Sequence, residues 1–489
     1  MLPTLLIAAA AAAPRTPNVV LVYADDLGYR EIGAFGQKKI PTPNLDRLAA
    51  QGLRMDRYYT ASPVCAPSRA SLLTGLHAGH SPIRGNKEVG GWELNSGEGQ
   101  FPLPDKSVTL AEGFRRAGYA TGAFGKWGLG GPSTEGHPNR QGFDQFFGYL
   151  CQRQAHNNYP AYLWQNEQVY LLTGNKYFSA NQKLKPEDAT DAAFEQFKGK
   201  QYAEDEIRAK ALDFIGQNKA KPFFLYYAST LPHTALQAPD DMVDRFPKEW
   251  DPKPYLGENS YLPNKRPRAT YAAMIAKLDE SVGAIMDKLQ KEGIAQDTLI
   301  VFTSDNGTTF LGQVDRKFFD SLGELRGTKS TCYEGGIRMP FLASWPGHIP
   351  AGSSSGQVGY ACDLMPTFAQ IAGFKSPKND GTSLFEAWTS GKAIPRKEIY
   401  FEFPEGEAYQ AAIFDGRWKA ILPGLAKGKT AIEIYDLDTD PGETKDLAAM
   451  RPDLVRRARA FFKRAHTPNR DFPLPGVDEP APQLTATKR

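Results

Sequence analysis

The 489 residues carry a formal charge of +3, with 41% hydrophobic and 23% charged side chains, which describes a water-soluble globule able to bury a large core. So small a charge, with no dense Lys/Arg block and no zinc-finger spacing, argues against nucleic acid as a partner. No apolar run approaches the roughly eighteen residues a membrane span needs.

The chain opens on Met1 to Ile7 and the alanines Ala8 to Ala13, an apolar stretch that reads as the centre of an export signal over residues 1–15, though without a basic start. Export to a periplasm or the medium is the expectation, with the cytoplasm as the alternative. Asn18 to Tyr23 (NVVLVY) is rich in β-branched residues and reads as a buried strand, with Asp25 and Asp26 at its C-terminal end. Pro43 begins a helix for which Thr42 is the expected cap, and Gly52 ends it.

Cys65-Ala66-Pro67-Ser68-Arg69-Ala70-Ser71-Leu72-Leu73-Thr74-Gly75 comes next. Pro67 suits the first turn of a helix and Gly75 a left-handed stop. Cys65 then sits at a helix N-terminus, where free N–H groups favour a thiolate or a bound oxyanion. The other reading is a buried cysteine packed as a small hydrophobe. Thr109 and Glu112 form a capping box, and Tyr119–Phe124 is a strand leading into Gly125-Lys126-Trp127-Gly128.

Residues 131–190 are aromatic and rich in Asn and Gln, with little periodicity, and resemble substrate-facing loops more than scaffold. There Tyr149, Tyr159, Tyr162, Trp164, His156 and Asn157 can stack on and bond a sugar ring, or fix a long loop by burial. Asp191 to Asn218 reads as mostly helical, Pro222–Ala228 as a strand followed by Pro232-His233, and Thr270–Lys291 as a long helix. Asp297–Ser304 is a strand ending in Asp305-Asn306-Gly307, and Lys329 lies in Arg326-Gly327-Thr328-Lys329-Ser330.

Alternating buried strands and helices predict an α/β fold with a mostly parallel sheet covered on both faces, and ligands gather at the C-terminal ends of such strands. Asp25, Asp26, Lys126, His233 and Asp305 all follow predicted strands. After Gly373 the rhythm changes. Glu398–Phe403, Tyr409–Phe414, Arg417–Leu422 and Ile432–Tyr435 predict an antiparallel sheet, followed by a helix near Leu454–Ala465 and a proline-rich tail. The expected division is a catalytic domain over 16–380 and a smaller subdomain over 381–489.

Asp25, Asp26, Asp305 and Asn306 supply an all-oxygen set suited to Ca²⁺, with Mg²⁺ as the alternative; calcium tolerates irregular coordination better. Each pair taken alone could be a solvated turn or a cap. The four cysteines, Cys65, Cys151, Cys332 and Cys362, show no metal-binding spacing. If Cys65 is catalytic, at most one disulfide forms among the rest.

Cys65-Ala66-Pro67-Ser68-Arg69 resembles the Cys-x-Pro-Ser-Arg signature of type I formylglycine sulfatases, and Ala70 to Gly75 fits its extension. Asn18–Gly28, Gly125–Gly130, Pro232-His233, Ser304–Gly307, Leu325–Pro340, Asp363–Thr367 and Glu433–Leu437 with Asp440–Glu443 match further blocks of that family in order, over roughly residues 18–450. The resemblance implies an alkaline-phosphatase-like α/β/α sandwich with a smaller C-terminal antiparallel sheet.

It also implies sulfate-ester hydrolysis, on a sulfated carbohydrate in preference to a small aryl sulfate. In that scheme Cys65, oxidised to formylglycine by a formylglycine-generating enzyme, is nucleophile and metal ligand together with Asp25, Asp26, Asp305 and Asn306. Asp305 takes the proton of the attacking hydroxyl, Arg69 holds the modified residue, Lys126 and Lys329 grip the sulfate, and His233 protonates the departing oxygen. A phosphatase or phosphonate monoester hydrolase on the same fold is the alternative, and an inactive carbohydrate-binding homologue is another. One departure stands out: where the family often has Gly-Lys-Trp-His, this chain has Gly128. His137 is the nearest histidine in sequence and is expected to fill the missing role.

Overall fold

The computed structural model describes residues 16–90, 99–311 and 313–478. The export-signal reading of residues 1–15 and the end of the proline-rich tail lie outside them. Ten strands form one sheet: β1 Asn18–Ala24, β2 Leu53–Tyr59, β3 Ala120–Lys126, β4 Gln145–Tyr149, β5 Tyr162–Gln165, β6 Gln168–Leu171, β7 Phe223–Ala228, β8 Thr298–Ser304, β9 Arg338–Ser344 and β10 Ser353–Tyr360. Their order is β10-β2-β9-β8-β1-β7-β3-β4-β5-β6. The middle run β8-β1-β7-β3-β4 is parallel throughout, so the C-terminal ends of all five strands open on one edge.

β1 is buried along its whole length, and its side chains alternate between two cores. Val19, Leu21 and Tyr23 join a core that takes in the helices Cys65–Thr74, Leu110–Arg116 and Leu364–Ala372. Val20, Val22 and Ala24 join another, covered by the helices Ala203–Asn218 and Pro267–Lys291. A strand with apolar residues on both faces is stable only in such a sandwich, which is why NVVLVY lacks a polar alternation. None of the helices among the described residues is long and apolar enough to cross a membrane.

Four strands, β11 Glu398–Phe403, β12 Tyr409–Phe414, β13 Trp418–Pro423 and β14 Glu433–Asp436, form an antiparallel meander covered by the helix Pro452–Ala465. It is tied to the large sheet by a buried polar cluster. Lys419 of β13 lies 2.9 Å from Glu334 and 2.9 Å from Glu443, and Tyr59 of β2 donates to Glu334 at 2.8 Å. Removing the lysine would leave two carboxylates facing each other without water.

Several expectations change. Residues 131–190 hold β4, β5 and β6, which extend the large sheet instead of forming loops alone. Asp191–Asn218 is not continuous: a short helix, Asp191–Glu195, precedes Ala203–Asn218. Thr42 makes no side-chain cap; its hydroxyl accepts the Gly33 N–H at 2.8 Å instead. The capping box of Thr109 and Glu112 is present. All four cysteines are buried free thiols, so the allowed disulfide does not form.

Candidate active site

The site is built where the parallel strands end. Asp25 and Asp26 follow β1, Lys126 closes β3, His233 follows β7, and Asp305 and Asn306 follow β8. Asp26 adopts a left-handed backbone, φ 61°, and its N–H donates to Asp305 Oδ1 at 3.1 Å. That turn brings two adjacent aspartates, which a straight strand would point to opposite faces, to one locus.

Cys65 is the first residue of the Cys65–Thr74 helix, which ends at Gly75 with φ 69°. Every residue of that helix is buried. It aims Cys65 Sγ at Asp25 Oδ1, 3.5 Å away, with Lys329 Nζ also at 3.5 Å. Arg69, one turn on, donates to Asp305 Oδ2 at 2.8 Å and to the Lys126 carbonyl at 2.8 Å. Lys126 Nζ lies 2.6 Å from Asp25 Oδ2, and Lys329 Nζ 2.7 Å from Asp26 Oδ1. Asp25, Asp26, Cys65 and His233 each offer a ligand atom within 4.8 Å of the others.

Three carboxylates therefore face three cations, all nearly water-free. The balance shows in their proton affinities. Burial pulls Asp25 upward, but Lys126, His233 and Arg69 outweigh it and leave the carboxyl well below its usual range. Burial and the charge of Asp25 push Asp305 up to about 7 against the pull of Arg69 and Lys126. Burial also pushes the Cys65 thiol up to about 12, although both lysines oppose it. This reverses the thiolate expectation drawn from the helix N-terminus. Desolvation outweighs the helix end and the two lysines.

The donor set fits a divalent cation. Asn306 gives its amide N–H to Asp26 Oδ1 at 2.7 Å and to the Gly307 carbonyl, while its Oδ1 is buried without a partner. A buried, unpartnered carbonyl oxygen on an amide bonded to Asp26, with Asp25 and Asp305 near Asp26, is a donor set suited to a hard cation. Adding two positive charges to a balanced cluster leaves a net positive floor, which suits an anionic ester.

His233 lies deep, with Nδ1 bonded to the Thr234 carbonyl and Nε2 3.1 Å from Lys329 Nζ. Burial and Lys329 hold its pKa well below the usual imidazole value. His156 stacks on it, with ring centroids 4.7 Å apart and planes within 9°.

His137 does not reach the site. Its Nδ1 accepts the Asn139 N–H at the start of a short 3-10 turn, and its ring meets the edge of Phe146. Phe146 lies three residues before the site end of β4, about 10 Å back along the strand. The space beside Gly128 (φ 77°) is taken by Gln152, since a Cβ there would fall 2.8 Å from Gln152 Cγ. From the same turn His156 reaches the cavity above Cys65. Of the six residues considered for a sugar, only His156 lines that cavity. Tyr149, Tyr159, Tyr162 and Trp164 are buried and serve the core, and Asn157 caps its own loop at Tyr159.

The chain matches the sulfatase family model over residues 17–374, and the N-sulphoglucosamine sulphohydrolase C-terminal model over 327–454. This chain belongs to the sulfatase family. Human N-acetylgalactosamine-6-sulfatase is 33% identical over 427 residues, 84% of this sulfatase and 72% of the human chain. Human arylsulfatase A is 33% identical over 473 residues, 91% of this chain and 85% of that one. The crystal structure of Ps i-CgsB in complex with k-i-k-neocarrahexaose superposes with a TM-score of 0.75 at 28% identity, covering 92% of this sulfatase and 93% of that chain. The fold is that of the alkaline-phosphatase-like superfamily, and the enzyme is a sulfuric ester hydrolase.

Cys65 and its surroundings were legible in the motif. Gln152 and Asn86 were not. Asn86 Oδ1 accepts the Ala66 N–H at 3.0 Å and a Gln152 amide N–H at 3.3 Å, locking the turn after Cys65 to the cavity wall. No sequence signal marks either residue, because both act through a loop contact.

Proposed function

We propose that this sulfatase cleaves sulfate esters of a carbohydrate, using formylglycine made from Cys65 and one bound Ca²⁺. The observation that carries this reading is Cys65 at a helix start, touching Asp25 and Lys329 in a closed cluster of three carboxylates and three cations. The carbohydrate class is supported by the human relative, an N-acetylgalactosamine-6-sulfatase by name, and by the oligosaccharide bound to Ps i-CgsB.

Asp25, Asp26, Asp305 and Asn306 would hold the cation, which supplies Lewis-acid stabilisation of sulfate oxygens and acidifies a hydroxyl beside it. The aldehyde made from Cys65 by a formylglycine-generating enzyme supplies, as its hydrate, the hydroxyl that attacks sulfur and a second that allows release. The chain's own residues do the rest. Lys126 and Lys329, held by Asp25 and Asp26, hold sulfate oxygens by charge-assisted hydrogen bonds. Asp305, with Arg69 fixing its Oδ2, takes the proton of the attacking hydroxyl. His233 Nε2 faces the departing oxygen. An anionic ester docked against it raises the imidazole's low proton affinity and readies it to donate. His156, stacked on His233, takes the place expected for His137.

The test is turnover of a panel of galactose and N-acetylgalactosamine esters carrying one sulfate at different positions. Release of sulfate from at least one is expected. Failure on every sugar ester beside efficient turnover of aryl sulfates overturns the carbohydrate reading. Elemental analysis of protein purified without added metal should find about one Ca²⁺ per chain; one Mg²⁺ instead overturns the calcium assignment.

A further inference from the structure

The cavity above Cys65, about 230 Å³, is walled partly by a residue that the catalytic scheme does not use. Glu405 lies in the loop between β11 and β12, so it belongs to the small sheet and reaches across to the large one. Its Oε1 accepts the Asn86 N–H at 2.8 Å. Gly85 makes that approach possible, since a Cβ there would fall 2.3 Å from the same oxygen. Through Asn86 the carboxylate is coupled to the first turn of the Cys65 helix.

The other acids of the cavity and its floor each face a cation. Asp25 faces Lys126, Asp26 faces Lys329, Asp305 faces Arg69, and Glu88 on the wall is held by Arg153 at 2.7 Å. Among the described residues Glu405 faces no cation: burial raises its pKa, and the Asn86 N–H pulls it back. A half-buried carboxylate without a cation loses its water when a ligand covers it, so the ligand must replace those hydrogen bonds. A carboxylate only accepts hydrogen bonds, so that ligand must present donors. Phe310 on the same wall is 51% exposed, an aromatic surface of the kind that packs on the apolar face of a sugar ring.

We infer that Glu405 is a specificity-determining residue that accepts hydroxyl hydrogen bonds from the sugar ring bearing the scissile sulfate, and rejects a ring carrying a second anionic group. The substrate is thus a ring with a single sulfate and otherwise neutral hydroxyls. This rests on the carbohydrate reading above. A site built to bond hydroxyls discriminates, because an unmatched ligand covers the half-buried carboxylate without giving it donors. A second sulfate or a carboxylate there also meets like charge.

The experiment compares wild type, Glu405→Gln and Glu405→Ala on three esters: the best singly sulfated sugar of the panel, the same sugar with two sulfates, and a simple aryl sulfate. Glu405→Gln keeps an oxygen for Asn86 and removes only the charge. In wild type, kcat/KM for the singly sulfated sugar should exceed that for the disulfated one. In Glu405→Gln the ratio of disulfated to singly sulfated turnover should rise about tenfold, and in both variants the loss on the singly sulfated sugar, mainly in KM, should exceed any loss on aryl sulfate about tenfold. An unmoved ratio, equal losses on sugar and aryl esters, or a wild type that prefers the disulfated sugar would overturn the inference. A wild type that hydrolyses aryl sulfate but no sugar ester overturns the carbohydrate reading itself, which separates the two failures.

Discussion

The floor of the cavity and its wall are made by different rules. On the floor, Asp25, Lys126, Arg69, Asp305, Asp26 and Lys329 come from the ends of packed strands, from the Cys65 helix and from the loop before β9, and each charge has an opposite partner within 3 Å. On the wall, Gln152, His156, Phe310 and Glu405 come from loops, and one of them from the second sheet. The floor is redundant in charge and rigid by burial, so its chemistry is set before any ligand arrives. The wall is held by single hydrogen bonds and stacked rings, so it can differ between relatives without disturbing the floor.

That contrast predicts a steep ordering of effects. Cys65→Ala should remove turnover altogether, a loss of at least about 10⁴-fold, while the melting temperature stays near wild type, because a small side chain at the start of a buried helix changes packing little. Steady-state assays beside thermal unfolding check both halves. Asp305→Asn comes next, with an expected loss on the order of 10³-fold in kcat. It should persist at saturating Ca²⁺, because the proposed base is gone as well as a metal ligand. Full rescue by added metal would reduce Asp305 to a ligand.

On the wall the effects shrink. His156→Ala should lower kcat/KM by about tenfold to a hundredfold, through loss of the ring stacked on His233, and His156→Phe should recover part of this if stacking is the contribution. An unaffected His156→Ala enzyme would remove that residue from the site. His137→Ala sharpens the same comparison from outside. It should leave activity per folded molecule near wild type and cost about 2 kcal/mol of stability, as loss of a buried ring does. Chemical denaturation and kinetics on the same sample separate these; a large kcat loss in fully folded protein would return His137 to the catalytic centre.

The same division governs what could be read from the chain. β11 and β12 match their expected bounds because aromatic and aliphatic residues are flanked by clear turn residues in a regular meander. The Cys65 helix and the carboxylates at strand ends were visible because short-range chemistry and strand position coincide. β4 to β6 were missed: they are four or five residues long, set among Gly and Pro, and β6 lies at the sheet edge with no face fully buried. His137 misled because nearness in sequence to Gly128 is not nearness in space; the backbone turns it toward Phe146 while Gln152 closes the gap. The thiolate expectation failed because a helix end weighs less than complete burial. Glu405 could not be found at all, since its place depends on how one sheet docks on another.

The most direct measurement is the mass of the Cys65 peptide, read together with specific activity across preparations made with and without an active formylglycine-generating enzyme. Conversion of the thiol to the aldehyde should lighten the peptide by about 18 Da, and sulfatase turnover should rise in proportion to the converted fraction, extrapolating to none at zero conversion. Full turnover in protein whose Cys65 peptide is entirely unconverted would contradict the account.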